Sequence, residues 1–363
     1  MELKITKSVL YAIKKGKYLL RLVLIRNKSI VWCINSVLRI FNKDAFYKSL
    51  KSVEQADICE IHTLSTPIRY YPIDYVIDNN YYGISHSFKS YADLDIKYSS
   101  SQYIEHGVFF GRFILFDEKH WFSKRIITFS AQRKKHIKSL GIMKEIHVVG
   151  PYIEYAPVLG GRTRVEEYKN RFGKTLLVFP SHSINGRYTE YNLNSFIKKI
   201  NSIKAEYDSV LVSLFWVDTQ NADLVNRYRA QNYHICTAGH IHDINFLSRL
   251  RLLIEIADFT MSNNTGTHVG YCVALNKAHY IFHNEVREQR TFKKDYFDES
   301  YRAETYKLET DEVKHAFSIY DENITAAQRE VVSKYWGLGT KLSKYEMRAL
   351  LSDNENENII GSN

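Results

Sequence analysis

From Lys174 to Phe282 the chain alternates short apolar runs with longer amphipathic ones, and this alternation restricts the fold more than any other feature. The runs TLLVFP (175–180), SVLVSLFW (209–216), YHICTAG (233–239), DFTMS (258–262) and AHYIF (278–282) have the length and β-branched or aromatic content of strands. Between them YNLNSFIKKINSIKAEY, NADLVNRYRAQ, NFLSRLRLLIEIA and THVGYCVAL repeat apolar residues at helical spacing. Strands that are apolar on both faces and separated by helices imply crossover units, hence a parallel sheet covered on each side. A shorter version precedes it: YIEH (103–106), RIITFS (125–130), a helix AQRKKHIKSLG closed by Gly141, and EIHVVGP (145–151). The expected fold class is therefore α/β, in two domains over 52–155 and 174–285. The segment GGRTRVEEYKNRFG (160–173) would join them, and residues 286–363 would form a helical tail with pieces at 310–319 and 325–336.

A chain of 363 residues with 45% hydrophobic content can fill two such cores. Its charge is unevenly placed. Residues 1–51 hold twelve of the fifty Lys and Arg but only Glu2 and Asp44 of the forty acidic residues, so the entire net charge of +10 resides there. Within that segment Ile30, Val31, Ile34, Val37, Leu38 and Phe41 mark one face of an amphipathic helix. Arg21, Arg26, Lys28, Asn35 and Arg39 interrupt every apolar stretch before it reaches the ~18 residues that span a bilayer. A basic amphipathic start suits an anionic membrane surface; it equally suits helices that pack on the first domain and show their charge to water. Nucleic acid is not expected, because the rest of the chain is neutral. Cys33, Cys59, Cys236 and Cys272 have no paired spacing, which points to a reducing cytoplasm and, with the basic start, to a peripheral position on the inner face of the cell membrane.

Four polar stretches stand where ligands bind in such folds, at the carboxyl ends of strands. The first is Ser262, Asn263, Asn264, Thr265, Gly266, Thr267 and His268, between an expected strand and an expected helix. A helix starting near Thr267 offers free N–H groups and a positive dipole end to a phosphate. The alternative is a loop that merely caps the helix. The second is Ser181, His182 and Ser183, which suit a phosphate or sugar hydroxyl, or a plain turn. The third contains Gly239 and His240, followed by His242. Gly-His-x-His matches one element of metallophosphoesterase metal sites, but the partner elements are absent from the sequence, so no metal is expected there. The fourth is Glu105 and His106 before Gly107, where a strand-end pair could act as acid and base; the alternative is a buried, hydrogen-bonded histidine.

In this order the pieces resemble the GT-B glycosyltransferases of bacterial surface-polysaccharide synthesis, teichoic-acid polymerases among them. The resemblance is carried by a strand ending in His106-Gly107, by IITFSAQRKKHIKSLGI and IHVVGPYI, and by Asp258, Ser262, Gly266, Ala274, Leu275, Lys277 and Phe282 in ADFTMSNNTGTHVGYCVALNKAHYIF. Ala278 stands where the family has proline, and Gly107 is followed by Val108 and Phe109 rather than the longer family signature. The resemblance implies two Rossmann-like domains facing a central cleft, an acceptor domain at 52–155 and a donor domain at 174–285. It implies a nucleotide-sugar as substrate rather than cofactor, no metal, and transfer onto a hydroxyl of a glycan or lipid-linked glycan. His106 or Glu105 would be the base, and residues 181–183, 239–240 and 262–268 would line the donor crevice. Rival readings of the same fold are polyol-phosphate transfer, nucleotide-sugar epimerisation, and a subunit that binds glycan without catalysis.

Overall fold

The structure is a computed structural model that describes residues 19–184, 187–290 and 299–352. Its strands form two separate parallel sheets and one antiparallel ribbon. In the first sheet β1 (Tyr103–Ile104), β2 (Arg125–Thr128) and β3 (Glu145–Val148) lie side by side in sequence order. The second contains β4 (Thr175–Phe179), β6 (Ser209–Ser213), β7 (His234–Cys236), β8 (Phe259–Ser262) and β9 (His279–Ile281) in the order β7-β6-β4-β8-β9. The ribbon pairs β5 (Arg187–Tyr191) with β10 (Val286–Arg290), and the sequence pattern gave no sign of it.

Each expected strand is present, and all but β8, which ends at Ser262 as expected, are shorter at the carboxyl end. SVLVSLFW stops at Ser213 because the ladder to the three-residue β7 closes with Leu214 N–H donating to Cys236 O, which frees Phe215 and Trp216 for a loop. The expected helices appear as α1 (Lys28–Glu54), α3 (Ala131–Ser139), α4 (Gly161–Phe172), α5 (Leu193–Ile203), α6 (Ala222–Arg229), α7 (Phe246–Ile256) and α8 (Thr267–Ala274), and α2 (Ile84–Tyr91) is a helix that the pattern did not mark. The C-terminal part is helical at α9 (Glu299–Ala316), α10 (Ala326–Trp336) and α11 (Lys344–Leu351), so the helix expected at 310–319 starts earlier and stops at Ala316. The last eleven residues lie outside the described part.

Strand order places the site. The chain leaves β4 for β6 and β7 on one side, then returns to build β8 and β9 on the other. Loops that depart in opposite directions leave a crevice at the carboxyl ends of β4 and β8, the switch point where open parallel sheets take ligands. One buried apolar cluster runs from the first sheet (Ile104, Ile127, Phe129) through Tyr152 and Tyr155 to Leu177 and Ile281 of the second. The C-terminal helices close over it. Glu309 of α9 accepts from Gly111 N–H (2.7 Å) and contacts His136 Nε2 (2.7 Å), and the Trp336 indole donates to Thr267 O (3.0 Å). Gly270 of α8 makes room for that indole, since a Cβ there would lie 2.2 Å from the ring.

The loop after β7 is held by a fully buried ion pair, Arg249 Nη1 to Asp243 Oδ2 at 2.7 Å, with Nη1 also donating to Ala238 O at 2.6 Å. Breaking one partner strands a charge without solvent, which costs about 3–5 kcal/mol. Arg249→Met is expected to lower the urea unfolding free energy by that amount, and Arg249→Met with Asp243→Leu to recover most of it.

Candidate functional site

The loop after β8 turns inward on its own hydroxyls. Ser262 is fully buried; its Oγ donates to Asn264 O (2.9 Å) and lies 2.9 Å from His279 Nε2, while His279 Nδ1 lies 2.8 Å from Thr260 Oγ1. Ser262 is thereby committed to holding the loop, which leaves ligand contact to its neighbours. Asn263 is buried; its Oδ1 accepts from Ser181 N–H (2.6 Å) and Ser181 Oγ (2.9 Å), fixing the loop after β4 against the loop after β8. Asn264 Oδ1 accepts from Thr265 N–H at 2.9 Å. Three buried atoms here have no protein partner: Asn263 Nδ2, Thr265 Oγ1 and His268 Nε2. Gly266 is the N-cap of α8 and no side chain closes its first turn, so these residues are not serving as a cap. Leaving such groups dry and unpaired costs about 1–3 kcal/mol each, and a polar ligand would relieve it.

His268 stacks on Phe179 with ring centroids 4.8 Å apart. Burial, and then the nearby His182, push its pKa down to about 3; burial likewise holds His279 well below the ordinary histidine range. Both rings are neutral at pH 7, so His268 Nε2 can meet a hydroxyl or a protonated oxygen without bringing charge. His182 is exposed beside Phe215 (centroids 4.6 Å), and Ser183 N–H donates to Asp218 Oδ2 at 3.0 Å. Burial raises the Asp218 carboxyl, partly offset by Ser183.

The loop after β7 faces a different neighbour. Gly239 has φ +105°, and a Cβ there would lie 2.7 Å from Arg249 Nη1. His240 is buried, donates its N–H to Leu64 O (3.0 Å) and packs on Trp216 at 4.4 Å. Burial, then His242, push the His240 pKa down to about 4. The Trp216 indole N–H is buried without a partner. The loop after β7 therefore serves mainly as the seam with residues 61–68, and Trp216, from the neighbouring loop after β6, is the group beside it left open to a ligand.

The fourth stretch divides. Glu105 is fully buried; its carboxylate accepts from Arg133 Nε at 2.8 Å and from the Thr128 hydroxyl. Arg133 also reaches Glu118 (3.1 Å), and one guanidinium cannot neutralise two buried carboxylates. Burial and Glu105 push the Glu118 pKa up to about 8 despite Arg133, so Glu118 keeps its proton. Glu105 is thus placed inside the first sheet and not in the crevice, which corrects the expectation of an adjacent acid/base pair. His106 is partly exposed, with Nδ1 3.4 Å from Asp78 Oδ2 and without hydrogen-bond geometry. Asp78 also accepts from the Tyr103 hydroxyl at 2.7 Å, and His106 helps to hold its carboxyl below the usual range.

The two halves meet at these loops. Val108 N–H donates to Thr267 Oγ1 at 3.2 Å, which sets the His106 loop against the amino end of α8. Tyr82, held at φ +58°, donates its N–H to Ile241 O (2.8 Å), and Gly83 at φ +65° admits Ile244 O where a Cβ would collide. Tyr81 and Tyr82 flank His106 with centroids at 6.0 and 6.3 Å. Sequence reasoning missed Asp78, Tyr82, Trp216, Asp218 and His279. DNNYYG carried a turn signal for Asp78 and Tyr82, whereas nothing in the pattern singled out His279 or Asp218.

Among the described residues no group of three or more His, Cys, Asp or Glu side chains could hold a metal ion. The Asp-x-Asp triplet Asp93-Leu94-Asp95 lies apart from this cluster, with Asp93 paired to Lys344 (3.2 Å) and Asp95 accepting from Lys97 N–H (2.7 Å). A shallow depression of about 360 Å³ between α5 and α6, lined by Asn194, Lys198 and Arg227, includes none of the expected site residues.

No protein-family model matches the chain, and no curated protein matches it. Among solved structures it is similar to one described as "Structure of the Wall Teichoic Acid Polymerase TagF", with 14% sequence identity and a TM-score of 0.34. The match covers 69% of this chain and 64% of that one, a distant likeness of backbone.

The buried neutral histidines give stability a pH signature. A folded pKa below the unfolded ~6.5 means that unfolding takes up protons in acid, so the stabilisation is present above ~6.5 and lost as pH falls. His268 and His279 together should remove roughly 2–3 kcal/mol of unfolding free energy between pH 7.5 and 5.5. Urea titrations at the two pH values, on the native chain and on His268→Gln with His279→Gln, would measure it; the slope should flatten in the variant.

Proposed function

We propose that the chain is a metal-independent GT-B-type glycosyltransferase moving a sugar from a nucleotide-activated donor to a hydroxyl of a bacterial surface glycan, lipid-linked and reached from the cytoplasmic face of the membrane. In this reading 52–155 is the acceptor domain and 174–285 the donor domain. The observation that carries it is the contact of Val108 with Thr267. It brings a histidine backed by a carboxylate, His106 with Asp78, to the open end of a helix beside three unpartnered buried polar atoms.

The donor diphosphate would sit against Asn263 Nδ2, the Thr265 hydroxyl, His268 Nε2 and the first N–H groups of α8, with Ser181, His182 and Ser183 at its flank. As the bond from sugar to phosphate breaks, negative charge grows on the leaving phosphate. Fixed N–H dipoles already aimed there stabilise that charge more than they stabilise the bound donor. His106 Nε2 would take the proton of the attacking hydroxyl, and Asp78 would stabilise the imidazolium through Nδ1. Trp216 and Phe215 offer flat apolar surface at the side of the crevice for a base or sugar ring.

Two measurements test this. Thermal-shift titration with UDP, CMP, GDP and CDP derivatives should give stabilisation by one of them, lost in Asn263→Ala with Thr265→Ala; no shift from any nucleotide would remove the donor site. His106→Gln should then keep that nucleotide shift while lowering turnover by on the order of 10²–10⁴-fold. A glycan-binding subunit would lose nothing on that change, and phosphorus incorporated into the product would indicate polyol-phosphate transfer.

A further inference from the structure

Helix α1 is apolar on two opposite sides. Val31, Phe46, Leu50 and Val53 are buried against the protein, and on a helical wheel of ~100° per residue they fall in one arc with the buried Asn35. Opposite them, within an arc of about 120°, lie Cys33, Ile34, Val37, Ile40 and Phe41, all exposed, with Ile40 at 76% and Phe41 at 79%. About two and a half turns of outward apolar surface on one helix are more than scattered exposure requires. The same outward stripe continues as Asp44, Lys48 and Lys51, with Lys43 on the flank of the helix about 60° outside the stripe, and all three lysines are exposed. Read along its length, the outer side of α1 is apolar over 33–41 and then carries Asp44, Lys48 and Lys51, with Lys43 at its flank.

We infer that this outer side docks obliquely on an anionic phospholipid bilayer, with the 33–41 face inserted among the lipids and Lys43, Lys48 and Lys51 held at the headgroups. Charge complementarity selects the occupant. A buried protein partner would have to desolvate the lysines, whereas an anionic headgroup layer meets both parts of the stripe at once. No helix among the described residues is long and apolar enough to cross a membrane, which agrees with a helix lying in the interface.

The inner side of α1 links this surface to the site. Asn35 Nδ2 donates to Asp74 O and Tyr75 O (both 3.3 Å), Arg39 Nε to Pro72 O (2.7 Å) and Asn42 Nδ2 to Tyr70 O (2.9 Å). The segment so held runs directly into Asp78 and Tyr82, which border His106. Docking would therefore set His106 one structural layer from the bilayer, within reach of an acceptor anchored by a lipid. That purpose rests on the transferase reading; the docking itself does not.

The test uses the full chain and vesicles of phosphatidylcholine with or without phosphatidylglycerol, assayed by flotation. The chain is expected to bind the anionic vesicles, with Ile40→Glu/Phe41→Glu abolishing binding. Lys43→Ser/Lys48→Ser/Lys51→Ser should weaken it by on the order of 100-fold, roughly five-fold per lysine. These side chains are exposed, so unchanged thermal unfolding would show that the variants fold. A fluorophore on Cys33 should be quenched by lipids labelled deep in the acyl chain, and one on Lys48→Cys (with Cys33→Ser) only by headgroup labels. Failure of the native chain to bind, equal binding by the glutamate variant, or equal depth at 33 and 48 would overturn the inference. So would a dimer of the native chain that the glutamate variant dissociates without any vesicle binding, which would assign the face to a second copy. Nucleotide-induced thermal stabilisation should survive Ile40→Glu/Phe41→Glu, so loss of docking and loss of the donor site are read separately.

Discussion

Everything in the second half of the molecule depends on β4 having parallel partners on both sides. Parallel neighbours cannot be joined by tight turns, so β6 is reached from β4 and β8 from β7 through a helix, and the chain leaves the carboxyl ends of β4 and β8 in opposite directions. The bond network between Asn263 and Ser181 spans that divergence. It converts a topological gap into a defined crevice, and it uses up the Asn263 carbonyl while leaving the amide nitrogen unpaired. The polar run at 262–268 is consequently a mixture of residues that hold the loop and residues left open to a ligand.

That mixture explains how much of the site was legible. The periodicity located every strand of the second sheet and placed four polar loops at strand ends, because alternation of apolar runs is a local signal. Burial of Ser262 and Glu105 was not legible, since it depends on partners far away in sequence, His279 for one and Arg133 for the other. Asp78 escaped for the same reason: its relation to His106 is created by the turn at Tyr82 and Gly83, both with positive φ. The β5–β10 ribbon was invisible because its strands are polar and lie about a hundred residues apart.

Two devices keep buried ionisable groups tolerable, and they have opposite pH signatures. His268 and His279 avoid charge by staying neutral, which weakens the fold in acid. Glu118 avoids charge by retaining a proton beside the Arg133–Glu105 pair, a contribution present below the ordinary glutamate range and lost as pH rises through about 8. The crevice is therefore stressed by acid and the first sheet by rising pH, and no pH holds both contributions in full, since one is complete only above ~6.5 and the other only below the ordinary glutamate range.

The missing side chain at Gly270 has an evolutionary reading. Its absence admits the Trp336 indole, which donates to the backbone of Thr267, whose hydroxyl in turn receives Val108 N–H from the His106 loop. Positions 270 and 336 are thus free to change only together. Among descendants of this chain, a bulkier residue at 270 would survive where a smaller one had replaced the tryptophan, so the spelling of α10 would record the history of α8.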